Sequence, residues 1–196
     1  MTAGRDGEAG VTIVEMAVVI ALLALVVGVA LEGLTSYQAA TAASDARAES
    51  LGEARLAMAV LTKDLRTATS FTSLAPSDVT FLGHLNTSPT APPNCVRLYV
   101  DAQSQLVEAV TPPDDPTANP VTYTGTPATR VVARNLVNAA SLLSFRDQTD
   151  NPTTNPVSVT SVVVSLAVDI PSDQPVAPTT LTSRVWLPNV AAAGPA

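Results

Sequence analysis

The sequence predicts an α+β fold in which one long N-terminal helix leads into, and packs on, a C-terminal antiparallel β-sheet domain. Three observations predict it. All sixteen prolines stand at Pro76 or later; a proline inside a helix costs about 3 kcal/mol, so the stretch before Pro76 is free to be helical. Val11 to Leu31 is an apolar run in which Thr12 and Glu15 are the only clearly polar members. Beyond Pro76, short β-branched runs alternate with Pro, Asn, Asp and Thr, the pattern of strands joined by exposed loops.

The helix divides by composition. The run from Val11 to Leu31 is long enough to cross a bilayer core, which needs about 20 residues. Glu15 is the anomaly within it. A carboxylate at the centre of a bilayer costs roughly 2.5–3.5 kcal/mol on insertion scales, so an acid there is a functional candidate. Further on, Leu51, Ala54, Met58, Leu61, Leu65 and Ala68 recur at 3-4-3-4-3 spacing, an apolar stripe on one helical face. Glu49, Glu53, Lys63, Asp64 and Arg66 are expected mostly off that stripe. The helix is expected from Val11 to about Thr69, an axial length of about 88 Å at 1.5 Å per residue. The main boundary is placed at Leu74-Ala75-Pro76, with an amphipathic segment over 32–75 and a β-rich head over 76–196. Gly28 and Gly33 are the weak points, since each costs about 1 kcal/mol relative to alanine.

Seven strands are expected in the head: Val79–Leu82, Val96–Val100, Leu106–Val110, Arg130–Arg134, Leu142–Arg146, Val157–Ile170 and Thr180–Leu187. Val162, Val164, Leu166, Val168 and Ile170 alternate, which assigns one face to the core. Val157 and Val159 have the opposite parity, so a break or bulge belongs near Thr160-Ser161. In the last strand Leu181, Val185 and Leu187 face inward, opposite Arg184 and Trp186. The polar stretches Pro112–Pro116 and Asp147–Pro156 read as surface loops.

Composition narrows the chemistry. The chain has 196 residues and a formal net charge of −7, so it carries no basic footprint for nucleic acid. With Cys95 the only cysteine and His84 the only histidine, no intrachain disulfide and no Cys/His metal cluster is available. A hydrolytic triad would hang on these two residues, and neither has a catalytic neighbour in sequence. Asp114-Asp115 and Asp147/Asp150/Asn151 offer oxygen ligands of the kind calcium takes, but neither fits a defined ligand spacing, and such residues ordinarily build turns. No catalytic residue, metal site or cofactor is expected, and the chain is not read as an enzyme.

Three readings of the N-terminus compete. A cleaved secretory signal has a shorter apolar run and a more basic leader than Met1–Gly10, where Asp6 and Glu8 stand against Arg5. A plain single-pass anchor accounts for the length of the run but not for Glu15. The third reading uses every feature: Gly10-Val11-Thr12-Ile13-Val14-Glu15-Met16 resembles the cleavage and methylation motif of type IV pilins and type II secretion pseudopilins. That resemblance implies a leader over 1–10, cleavage by prepilin peptidase between Gly10 and Val11, and N-methylation of Val11. It implies that Thr12 and Glu15 act in assembly, with Glu15 neutralising the N-terminal ammonium of a neighbour and so fixing register. Opposite charges attract strongly where the dielectric is low, whereas a lone charge is penalised. It also implies that the Gly28–Gly33 region melts locally in the filament. Val11 departs from the family's usual phenylalanine.

Arg55-Leu56, Leu61, Asp64-Leu65-Arg66 and Ala68 are similar to the amphipathic helix of J-type minor pseudopilins and W-type minor pilins. Leu136–Arg146 and Ser183–Asn189 are similar to their mid-domain and closing strands. The expected fold is therefore pilin-like, and the expected function that of a minor structural subunit of a type IV pilus-like filament or secretion pseudopilus. Its partners would be prepilin peptidase, the cytoplasmic membrane, and other pilin or pseudopilin subunits met through the Leu51–Ala68 stripe and the sheet edges. The head would be extracytoplasmic. The alternative is a single-pass anchored extracytoplasmic binding module that never enters a filament.

Overall fold

The computed structural model describes residues 12–85, 91–169 and 177–190. A single helix, α1 (Ile13–Arg66), runs unbroken for 54 residues, through both Gly28 and Gly33. The chain forms two compact units, the first ending at Ser44 and the second beginning at Asp45.

In the first unit every described residue from 12 to 38 is exposed, including Ile13, Leu22, Val29 and Leu34. Two hydroxyls on the helix return to its own carbonyls: Thr35 Oγ1 donates to Glu32 O (2.9 Å) and Thr41 Oγ1 to Tyr37 O (3.0 Å). Such back-bonding satisfies a hydroxyl without solvent. By length and composition this helix is apolar enough to cross a membrane.

In the second unit α1 buries Ser50, Ala54, Ala57, Leu61, Asp64 and Leu65. Ala54, Leu61 and Leu65 of the predicted 3-4 stripe are buried, Leu51 and Met58 are only half-buried, and Ser50, Ala57 and Asp64 join the face that covers the molecule's own sheets. The stripe is thus consumed inside the head, which corrects its assignment to neighbouring subunits. Asp64 is corrected as well: it lies on the buried face, 2% exposed.

The helix ends earlier than its expected limit near Thr69. Thr67 turns the chain, its N–H (3.0 Å) and Oγ1 (2.7 Å) both donating to Asp64 O. The β-branched and hydroxyl residues that follow form a strand, β1 (Ala68–Ala75). The 74–76 boundary is therefore the turn of a hairpin, in which Ala75 pairs with Asp78 around Pro76-Ser77. Proline is pre-set for such a turn.

Next come β2 (Asp78–Gly83), β3 (Asn94–Val100), β4 (Leu106–Thr111) and β5 (Ala128–Ala133). With β1 they make a five-stranded antiparallel meander in sequence order. A second, three-stranded sheet is ordered β6 (Leu143–Arg146), β7 (Ser161–Val168) and β8 (Thr179–Trp186). In β7, Val162, Val164, Leu166 and Val168 are all fully buried, the predicted face. Ile170 lies outside the described residues. The expected break falls just before Ser161, where Pro156–Ser158 form a 3-10 turn instead of strand. In β8 Val185 is buried and Trp186 exposed, with the Arg184 guanidinium 4.3 Å over the Trp186 ring.

Helix and both sheets share one core, in which Leu61, Leu65, Phe81, Leu98, Leu106, Leu142, Val164 and Leu166 are essentially inaccessible. Phe71 meets Phe81 of its own sheet and Phe145 of the other at 5.8 and 6.1 Å. Polar ties add to this packing along the helix. Ser50 Oγ donates to Thr179 Oγ1, Arg134 N–H to Glu53 Oε1 (2.6 Å), and Asn189 Nδ2 to Arg66 O (3.0 Å).

Candidate functional site

Two places concentrate chemistry. The first is the start of α1. Thr12 caps the helix: its Oγ1 accepts the Glu15 N–H (3.2 Å) and its carbonyl the Met16 N–H (3.1 Å). Thr-x-x-Glu is the capping-box spacing, a helix-start signal that the surrounding apolar run masks. Thr12 and Glu15 are thus brought together, and Glu15 sits exposed in the first turn, where the helix dipole favours an anion. Gly10 and Val11, the expected cleavage and methylation positions, lie outside the described residues. At Gly28 and Gly33 an added Cβ would meet nothing within 4 Å. Neither glycine is needed for a close approach.

The second place was not anticipated. Asp64 of α1 and Glu108 of β4 are buried, each 2% exposed, and Arg130 of β5 bridges them. Sheet register makes this possible. Glu108 lies directly opposite Arg130, and it shares a face with Leu106 and Val110 two residues away. Arg130 Nε donates to Glu108 Oε2, and Nη2 reaches Asp64 Oδ2 at 3.3 Å. The guanidinium side chain remains 57% exposed. A cavity of about 300 Å³ opens beside the group, walled also by Lys63, Leu85, Ala128 and Thr129. Burial, reinforced by repulsion from Glu108, raises the Asp64 carboxyl from its ordinary 3.8 to about 6, against the pull of Arg130 and Lys63. Helical periodicity treats a charge as a solvent marker, so it hid Asp64. Only the approach of β4 and β5 reveals its partners.

The acidic loops spend their carboxylates on themselves. Asp114 accepts from Thr124 N–H, Thr124 Oγ1 and Gly125 N–H. Asp147 accepts from Thr149 N–H, Thr149 Oγ1 and Asn151 N–H, each at 2.9 Å. Asp150 pairs with Arg184 at 2.6 Å. Asp115 accepts from Thr117 N–H and Oγ1, and such hydrogen bonds hold Asp114, Asp115 and Asp147 below the usual carboxylate range. Among the described residues no group of three or more His, Cys, Asp and Glu is arranged to hold a metal ion. Cys95 is half-buried, and burial raises its thiol. His84 Nδ1 is buried without a hydrogen-bond partner among the described residues.

The arrangement is that of an exposed apolar helix joined to a β-rich head, a pilin-like layout. No family model, curated protein or solved structure matches the chain.

Proposed function

We propose that the chain is a minor pilin or pseudopilin, a structural subunit of a type IV pilus-like filament or type II secretion pseudopilus. The observation that carries this reading is a long, fully exposed apolar helix that begins at Thr12-x-x-Glu15, directly after Gly10-Val11, and continues into the packed helix of the head. An apolar surface of that extent requires a cover. A bilayer before assembly and neighbouring helices afterwards supply it in turn. Cleavage after Gly10 would create an ammonium at Val11, four residues before Glu15. Glu15 of one subunit would then neutralise the new terminus of the next, since a charge paired in a low-dielectric setting escapes most of its burial cost. Prepilin peptidase, the cytoplasmic membrane and fellow subunits are the partners this role requires, with the head on the extracytoplasmic side.

Mass spectrometry of membrane-extracted protein, from cells with active prepilin peptidase, tests the reading. The expected N-terminus is methylated Val11; an intact Met1 overturns it and leaves the chain as an anchored module. Glu15→Ala is expected to insert normally but to enter filaments far less. Unchanged incorporation would remove the register role of Glu15.

A further inference from the structure

The backbone of β5 is bonded on one side only. Among the described residues, no backbone N–H or carbonyl of Ala128–Ala133 meets a partner outside β4. The strand is the last of its sheet, and an edge strand turns about half of its backbone groups away from its one neighbour. Ala128, Thr129 and Val131 are exposed along it. The other sheet ends meet their own chain. Leu143 N–H donates to Pro76 O (2.8 Å) beyond β1, Thr153 N–H to Phe145 O (3.0 Å) along β6, and Ser50 of α1 meets Thr179 of β8. A charged side chain commonly blunts an open edge, but Arg130 is folded over the sheet onto Glu108 and Asp64.

The cavity of about 300 Å³ lies beside that open edge. Its sheet wall, Glu108 and Val110 of β4 with Ala128 and Arg130 of β5, consists of alternate residues and so belongs to one face. Its floor is buried, with Asp64, Leu85 and Glu108 no more than 9% exposed. Ala128, Thr129 and Arg130 are exposed, so the mouth is on the β5 side. Asp64 and Glu108 each engage Arg130 through one oxygen; Asp64 Oδ1 and Glu108 Oε1 accept no hydrogen bond among the described residues. Arg130 and Lys63 are exposed, where water screens their charge, whereas the two carboxylates act through a drier interior. The floor is therefore anionic, between the apolar sides of Leu85 and Val110.

We infer that β5 accepts an extended segment of a partner protein as an additional strand, with a lysine of that segment reaching into the cavity to Asp64 and Glu108. Strand addition satisfies the open backbone groups, and a pocket for alternate side chains selects the sequence. Beside β5, every second side chain of the added strand falls on the face of the cavity. The aliphatic stem of a lysine suits Leu85 and Val110, and its ammonium completes two half-used carboxylates. A second copy of this chain cannot supply the anchor. Its only lysine is Lys63, which already lines the cavity. The contact stands apart from the filament reading and needs neither cleavage after Gly10 nor the charge of Glu15.

To test it, full-length protein in detergent is titrated into a fluorescein-labelled heptapeptide, Thr-Val-Thr-Lys-Thr-Val-Thr, with anisotropy as the readout. Saturable binding is expected, weakened by about tenfold when glutamate replaces the lysine. Of two peptides N-methylated at alternate residues, the one blocked on the side facing β5 should fail to bind and the other should bind as before. Ala128→Leu fills the mouth from an exposed position; it is expected to abolish binding with an unchanged thermal melt. Glu108→Gln should weaken the lysine peptide by about tenfold and leave the glutamate peptide no worse. Absence of saturable binding, indifference to the lysine, equal behaviour of the two N-methylated peptides, or full binding by Ala128→Leu overturns the inference. Displacement by butylamine as effective as by unlabelled peptide also overturns it, making the cavity a site for a small cation.

Discussion

Asp64 is the residue whose ionisation matters most. Its carboxyl titrates near 6 in the folded head and at about 3.8 when free, so between those values the folded state holds more protons than the unfolded one. Stability therefore falls as pH rises through that window. The full difference is at most about 3 kcal/mol, at 1.36 kcal/mol per unit. Asp64→Asn keeps the shape and the acceptor but carries no charge. It is expected to unfold at a higher temperature than the parent at pH 7.5, with the gap closing by about pH 4. Thermal melts of the two proteins across that range check it. Arg130→Ala acts oppositely. It leaves two buried carboxylates without their shared guanidinium, and one-sided disruption of a buried pair typically costs about 3–5 kcal/mol. Denaturant titration at neutral pH should place this variant near the lower end, because the Arg130 side chain is partly solvated.

Most elements could be read from sequence, because hydrophobic period is a local property. The inward faces of β7 and β8 lie where alternation places them, and Ala54, Leu61 and Leu65 of the helix stripe are buried, with Leu51 and Met58 half-buried at its margin. That the helix packs on the molecule's own sheet domain is also expected from sequence; which strands meet it is not, because periodicity names a face without naming its partner. β1 was missed because Thr69-Ser70-Phe71-Thr72-Ser73 offers little apolar contrast. Its strand character comes from pairing with β2. At the N-terminus the motif was conspicuous, but the capping role of Thr12 needed the helix start to be located. The corner between α1 and β1 also yields a prediction at this scale. A Cβ on Gly83 would lie 2.9 Å from Thr67 Oγ1 and 3.3 Å from Thr67 O, against a hydroxyl already committed to Asp64 O. Gly83→Ala is expected to destabilise the head by about 1–3 kcal/mol, the usual range for overpacking. Thr67→Ser alongside it should recover little, since the backbone carbonyl remains in the way.

For the whole molecule, the unit beginning at Asp45 contains the shared core, and the exposed apolar surface of the first unit lies outside it. A fragment spanning 45–196 is expected to fold without detergent and to unfold in one cooperative transition, as single domains of this size do. The full chain should need detergent or lipid to stay dispersed. Coincident near- and far-UV circular dichroism transitions of the fragment provide the check. The polar ties along α1 have a mechanical meaning as well. Ser50, Glu53, Asp64 and Arg66 fasten the helix to Thr179, Arg134, Arg130 and Asn189 over about 24 Å of its axis. Traction along that axis loads these fastenings together in shear, so no single one can be peeled first. The head would follow a pulled helix as a unit, giving way only when its fastenings fail as a group.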